Sequence, residues 1–178
     1  MALESVKIGI LSDTHKKEGR SQKIIDHLKA NGAQFLIHAG DIVKVEMLEQ
    51  LKNSGLKYIA VYGNNDAGLV EYHNKYNLVQ EPHHFKLANT TMKLMHLPFY
   101  MNADAEVVIF GHTHIAECDF KHKTLFLNPG ETCARDEPLS TCMMLEITES
   151  VFKVTLYSRE IGTAVFQETH YSFERSKR

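Results

Sequence analysis

Ile8-Gly9-Ile10-Leu11-Ser12-Asp13-Thr14-His15 is a short apolar run that passes directly into a carboxylate and an imidazole. Val6–Leu11 reads as a buried strand, because the apolar residues are contiguous and too few for a helix. Four more runs end in the same way. Phe35-Leu36-Ile37 leads through His38-Ala39 into Gly40-Asp41. Tyr58-Ile59-Ala60-Val61 leads into Tyr62-Gly63-Asn64-Asn65-Asp66. Met92-Lys93-Leu94-Met95 leads into His96, and Val107-Val108-Ile109-Phe110 leads into Gly111-His112-Thr113-His114. Strands that stop at one edge place their next residues along one rim, which is where open α/β sheets carry their sites. Two Asp, one Asn and four His on such a rim suit two transition-metal ions better than a packing role.

Between the first strands the periodicity changes. Ser21–Ala30 places Ile24, Ile25 and Leu28 on one helix face, and Asn31-Gly32 stops it. Val45–Lys52 is a helix with Met47, Leu48 and Leu51 inward, ended by Asn53-Ser54-Gly55. Gly68–Tyr76 reads as a further helix. Strand–helix–strand spacing of this kind implies parallel pairing through right-handed crossovers. In the second half, His84–Leu87 and Thr91–His96 flank Ala88-Asn89-Thr90 as a hairpin. Val107–Phe110, Glu117–Phe120, Thr124–Leu127, Met143–Ile147, Val151–Ser158 and Ala164–Thr169 are strands joined by short turns, with mostly antiparallel pairing expected. The halves together predict an α/β chain with two sheets face to face and helices outside.

The 178 residues predict a single domain over 1–178 with one substantial core. An apolar fraction of 43% and a charged fraction of 24% are ordinary for a globular protein. The formal charge of -2 gives no global field toward nucleic acid or membrane, so long nucleic acid is not an expected partner. No stretch approaches the ~20 apolar residues of a membrane span, and no charged-then-apolar leader is expected before the first strand. Cys118, Cys133 and Cys142 form no Cys-x-x-Cys pair, so neither a disulfide framework nor a zinc ribbon is indicated. Reduced thiols in a cytoplasmic protein are the expectation. The tail Arg175-Ser176-Lys177-Arg178 reads as a solvated, frayed end. Exposed strands in the second half leave a homo-oligomer open.

Each ligand motif is weak alone. Asp13-x-His15 and Gly40-Asp41 each occur as turn or helix caps. Asp41 is nevertheless the natural bridging ligand, because one carboxylate can hold two cations. Asn64 offers a neutral amide oxygen, which can touch both a metal and a phosphate. His112 and His114, one residue apart after Gly111, can reach two neighbouring metals. Convergence in this order, each at a strand end, is what marks a site.

The order Asp-x-His, Gly-Asp, Gly-Asn-x-Asp, His, Gly-His-x-His resembles the calcineurin-like metallophosphoesterase superfamily, over roughly residues 6–158. It is most similar to the small single-domain bacterial and archaeal phosphodiesterases, whose segment after the last His motif Asn128-Pro129-Gly130 and Arg135 also resemble. The resemblance implies a four-layer α/β/β/α sandwich, two face-to-face mixed β-sheets flanked by helices. It implies that Asp13, His15, Asp41 and His114 hold one metal and that Asp41, Asn64, His96 and His112 hold another. Asp41 and Asn64 then count as catalytic, with Asn64 and Asn65 on the substrate side. Mixed oxygen and imidazole ligands suit manganese first, with iron, zinc, cobalt or nickel as alternatives. The implied activity is hydrolysis of a small phosphodiester by a dinuclear centre with a bridging hydroxide nucleophile. The alternatives are a phosphomonoesterase, a nucleotide pyrophosphohydrolase, or a non-catalytic scaffold such as the retromer subunit of this fold.

Several positions depart from the resemblance. Asn65 stands where many monoester-cleaving relatives carry His, and it cannot donate a catalytic proton. This tilts the expectation toward diesters. Tyr62 stands where relatives often carry Arg. Asp66 reads as a turn or helix-cap residue, and His38 as a core histidine or one that orients a ligand. Leu97-Pro98 follows His96, and only sixteen positions separate His96 from His112. That span leaves little space for the usual helix and predicts an open cleft beside the second metal.

Overall fold

The computed structural model describes residues 5–176. The first half runs β1 (Val6–Leu11), α1 (Glu18–Ala30), β2 (Phe35–His38), α2 (Val45–Asn53), β3 (Lys57–Val61) and β4 (Leu78–Val79). Next come β5 (His83–Leu87), β6 (Thr90–Leu94), β7 (Val107–Ile109), β8 (Ala116–Lys121) and β9 (Thr124–Pro129). The chain ends with β10 (Leu139–Ile147), β11 (Val151–Glu160) and β12 (Gln167–Glu174). One sheet has the order β12-β11-β10-β1-β2-β3-β4, the other β5-β6-β7-β9-β8. β1, β2, β3 and β4 pair in parallel, while β10, β11 and β12 join antiparallel beyond β1.

Strand alternation divides the apolar runs between two cores. Ile8, Ile10, Ile37 and Val61 meet Met92, Leu94, Val107, Ile109 and Leu127 between the sheets. Leu11, Leu36 and Ala60 point the other way, onto Ile24 and Leu28 of α1 and Leu48 and Leu51 of α2. Strands covered on both faces read as continuous apolar runs. Two mixed sheets therefore lie face to face, with both α-helices outside the larger one.

The outer face of the smaller sheet is covered without a helix among the described residues. β6 and β7 pair in parallel, which demands a crossover of about a dozen residues, and the irregular segment 95–106 supplies it. Met95, Met101 and Ala105 of that segment pack on Val108, Phe110 and Phe126. Lys93, fully buried on β6, pins it. Its ammonium donates to the Asn102 carbonyl at 3.0 Å and Asn102 Oδ1 at 2.8 Å, and pairs with Asp104 at 2.6 Å. Lys93→Ala removes three charge-assisted contacts at once. It is expected to cost about 2–4 kcal/mol in chemical denaturation and to open residues 97–106 to proteolysis first.

Three expectations change. Gly68–Tyr76 is not an α-helix: a 3₁₀ turn spans Ala67–Tyr72, with only Leu69 of it buried, too little apolar face to hold more. The last strand is Gln167–Glu174 rather than Ala164–Thr169, because the apolar Phe166 leaves the sheet to stack on His27 at 3.6 Å between ring centroids. Pairing in the second half is mostly antiparallel, as expected, with β7 the exception in running parallel to both β6 and β9. Arg175 is not frayed: its guanidinium donates to the Thr148 carbonyl at 2.7 Å and Thr90 Oγ1 at 3.0 Å and pairs with Glu106 at 2.9 Å. Residues 177–178 of that tail lie outside the described residues.

Candidate metal centre

The loops after β1, β2, β3, β6 and β7 meet at one rim, and all seven residues singled out above come together there. His114 Nε2 lies 3.1 Å and His15 Nε2 3.9 Å from Asp13 Oδ1. His15 Nε2 is 3.6 Å from Asp41 Oδ2. On the other side of the same carboxylate, His96 Nε2 is 3.4 Å from Asp41 Oδ1. Asn64 Oδ1 stands 2.9 Å from His96 Nε2 and 3.2 Å from His112 Nδ1. The His15 and His114 rings are 5.6 Å apart, and those of His96 and His112 5.2 Å apart. Two groups of side chains thus share Asp41.

The backbone is bent to achieve this. Asp13, His15, Asp41, His112 and His114 all have φ between 45° and 69°, the left-handed region that costs a non-glycine residue about 1–3 kcal/mol and concentrates at functional sites. Two glycines make room. Gly40, at φ 93°, would drive a Cβ to 2.6 Å from His96 Nδ1. A Cβ on Gly63 would overlap the Asp41 carboxylate and its backbone nitrogen. Backbone bonds from Asp13 N to Gly40 O and from His15 N to Asp41 O, each 3.0 Å, tie the first two loops together.

Supporting groups fix each side chain. Asn65 donates to Asp41 through its amide side chain (2.8 Å to Oδ2) and its backbone N–H (3.0 Å to Oδ1). The residue expected on the substrate side thus spends one side-chain donor on the shared carboxylate. Asp66 makes no helix-cap bond. Its buried carboxylate accepts instead from the N–H groups of Gly63 (2.7 Å), Ile42 (3.1 Å) and Val43 (2.7 Å), stapling the β3 loop to the β2 loop. Glu81 and Glu131 carried no sequence signal. Glu81 accepts from the N–H groups of His96 (2.6 Å) and Leu97 (2.8 Å). Glu131 Oε2 lies 2.7 Å from His114 Nδ1. Asn128 donates to the Gly111 carbonyl at 3.1 Å and Thr113 Oγ1 at 2.9 Å, holding the His112–His114 loop.

His38 is both a satisfied core histidine and a link between loops. Its Nδ1 accepts from Gly40 N–H at 3.1 Å, so the proton sits on Nε2 and is donated to Thr14 Oγ1, also at 3.1 Å. Complete burial pushes its pKa down from 6.5 to about 4. The unfolded chain therefore binds more protons between these values, and the folded state loses stability as pH falls from 6.5 to 4. The loss is about 3 kcal/mol for this group. His38→Gln is expected to flatten the stability slope of the metal-free protein across that window relative to the parent, as read by urea denaturation at each pH.

Charges at the rim favour cations. Burial opposes ionisation of Asp41, but the hydrogen bond and charge of His96, with the bonds from Asn65, hold its carboxyl well below the usual range. Burial likewise lowers His96, yet its bond to Asp41 and the charges of Asp13 and Asp41 outweigh this and raise it. The bond to Asp13 raises His114. Metal uptake needs neutral imidazoles and so must release these protons.

The residues fit a metal pair. His15 Nε2 is a buried polar atom without a hydrogen-bond partner, a costly arrangement unless a ligand completes it. His96 commits Nδ1 to the Ala39 carbonyl at 2.8 Å, which leaves the Nε2 lone pair toward Asp41 and Asn64. The donors are carboxylate, amide and imidazole. Cys133, close to His114 and Glu131, has its thiol pushed up to about 12 by burial and stays protonated.

Residues 6–150 match the calcineurin-like phosphoesterase superfamily domain. The chain belongs to this superfamily. As a calcineurin-like phosphoesterase it is a hydrolase acting on phosphate esters. A phosphodiesterase of Methanocaldococcus jannaschii is 26% identical over 161 residues, covering 83% of this chain and 97% of the relative. Two solved structures share the fold. Wild-type Vps29 of Entamoeba histolytica complexed with zinc superposes with a TM-score of 0.70 at 20% identity, covering 95% of this chain and 99% of that one. The phosphoesterase YfcE of E. coli gives 0.69 at 20%, covering 92% and 98%. Among the described residues no helix is long and apolar enough to cross a membrane.

Proposed function

We propose that this phosphoesterase hydrolyses small phosphodiesters at a dinuclear centre. Asp13, His15, Asp41 and His114 would hold one divalent cation, and Asp41, Asn64, His96 and His112 the other. Manganese is the first choice, and iron, zinc, cobalt or nickel suit the same donors. The observation that carries this reading is Asp41, whose two oxygens face different imidazoles, His15 at 3.6 Å and His96 at 3.4 Å. Such a pair of cations would supply an activated water for attack on phosphorus and would neutralise charge on the phosphoryl oxygens.

The chain's own groups do the rest. Asp41 is kept ionised and oriented by Asn65. Asn64, exposed at the rim, turns Oδ1 inward and leaves its NH₂ for a phosphoryl oxygen. The exposed guanidinium of Arg135, 3.4 Å from His114 Nε2, adds a cation at the mouth. Neither Asn64 nor Asn65 can protonate a leaving group, which favours diesters with good leaving groups over monoesters.

The test compares turnover of aryl phosphodiester, phosphomonoester and pyrophosphate substrates with added Mn²⁺. Faster cleavage of the diester is expected. Preference for the monoester or pyrophosphate would move the assignment to those classes, and no turnover on any would favour a scaffold.

A further inference from the structure

A second charged site lies beside the metal rim. Lys16 and Lys17 follow His15 directly, and with Arg20, Lys23 and Arg159 they line a groove of about 460 Å³. The acidic residue in its lining, Glu18, is already engaged by Lys44 at 2.8 Å. Five cations gathered on a chain of formal charge -2 make a local field opposite to the global one. The groove opens at the N-terminal end of α1, where Lys17 makes no side-chain cap bond. A Cβ on Gly19 would meet nothing within 4 Å, so the first turn of α1 leaves open space beside this residue.

Arg159 points to a ligand independently of that helix end. It is 3% exposed, one guanidinium nitrogen donates to the Thr163 carbonyl at 2.8 Å, and Nε is buried without a partner. Among the described residues no carboxylate lies within ion-pair distance of it. A buried, half-satisfied guanidinium is unfavourable unless an anion completes it. The groove also shares a wall with the metal rim. Arg20 donates to the Cys133 carbonyl, and Cys133 N–H donates to the Asp13 carbonyl at 3.0 Å.

We propose that this groove binds a second phosphate group of the substrate, one remote from the scissile diester. The assignment to substrate rests on the phosphodiesterase reading; the anion site itself does not. A diester carrying a terminal phosphate would place its cleaved bond on the metal rim and its terminal phosphate against Lys17, Lys23 and Arg159. Because Lys17 and Lys23 are exposed, their replacement tests the site without disturbing the core, whereas Arg159→Gln risks the fold.

Two measurements on the full-length, manganese-loaded protein decide it. In the first, amine labelling of individual lysines is followed by mass spectrometry with and without inorganic phosphate. Lys17 and Lys23 are expected to be protected at least about threefold, while the exposed Lys57 and Lys153 are not. Equal protection everywhere, or none, overturns the anion site whether or not the protein cleaves diesters. In the second, kcat/KM is compared for a dinucleotide with and without a terminal phosphate. The parent is expected to prefer the phosphorylated form by about tenfold or more, and Lys17→Ala/Lys23→Ala to reduce that ratio toward one. A ratio near one in the parent, alongside lysine protection, would overturn the substrate assignment and make the site one for a free anion. No turnover of either dinucleotide would also overturn it, and would count against the phosphodiesterase reading itself.

Discussion

Asp41→Asn is expected to lower kcat on an aryl phosphodiester by about a thousandfold or more and to reduce bound metal from two ions per chain to at most one. The change keeps the shape of the side chain and removes the charge that both metal groups share. Loss of a single donor to developing charge already costs about 10²–10³ in turnover, and here one substitution weakens both halves of the centre. The amide also disrupts its own support, because Asn65 offers donors to both Asp41 oxygens, and an NH₂ at one of them meets a donor with a donor. Circular dichroism matching the parent separates this outcome from unfolding. Full turnover in the variant would show that the two-metal mechanism is wrong.

Gly63→Ala should produce the second largest effect with the smallest chemical change. The added methyl would occupy the space of the Asp41 carboxylate and its backbone nitrogen, so the carboxylate must shift by about an ångström. Misplacements of that size cost about 10²-fold in rate, and metal affinity should fall in parallel. Gly68→Ala, where a Cβ meets nothing within 4 Å and φ is not positive, is the control and should match the parent in kcat/KM. Parent-like activity in Gly63→Ala would mean that the functional protein does not hold Asp41 against Gly63.

β1, β2 and β3 were legible because they are covered on both faces, so their apolar runs are uninterrupted and the polar residue that follows each marks the strand end. Asp13, His15, Asp41 and Asn64 followed from those ends, and His96, His112 and His114 from the ends of β6 and β7. What stayed hidden acts through backbone groups distant in sequence. Glu81 serves the N–H groups of His96 and Leu97 fifteen and sixteen residues on, and nothing local to Glu81 announces it. Asp66 carries the sequence mark of a cap, but its side chain finds the β2 loop because β2 and β3 are neighbours. Lys93 sits inside one of the apolar runs, and nothing local to it shows what its ammonium meets. It is buried because the crossover 95–106 folds over it, and that covering depends on β6 and β7 being parallel. Phe166 looked like strand and became a stacking partner for His27, a choice made by the surface of α1 rather than by local propensity.

Anomalous scattering from manganese-soaked crystals bears most directly on whether one carboxylate holds a metal pair. Two peaks about 3.5–4 Å apart are expected, one beside Asp13, His15 and His114 and the other beside Asn64, His96 and His112, with an Asp41 oxygen touching each. A single peak, or none at saturating manganese with the imidazoles turned away from Asp41, would contradict the dinuclear centre.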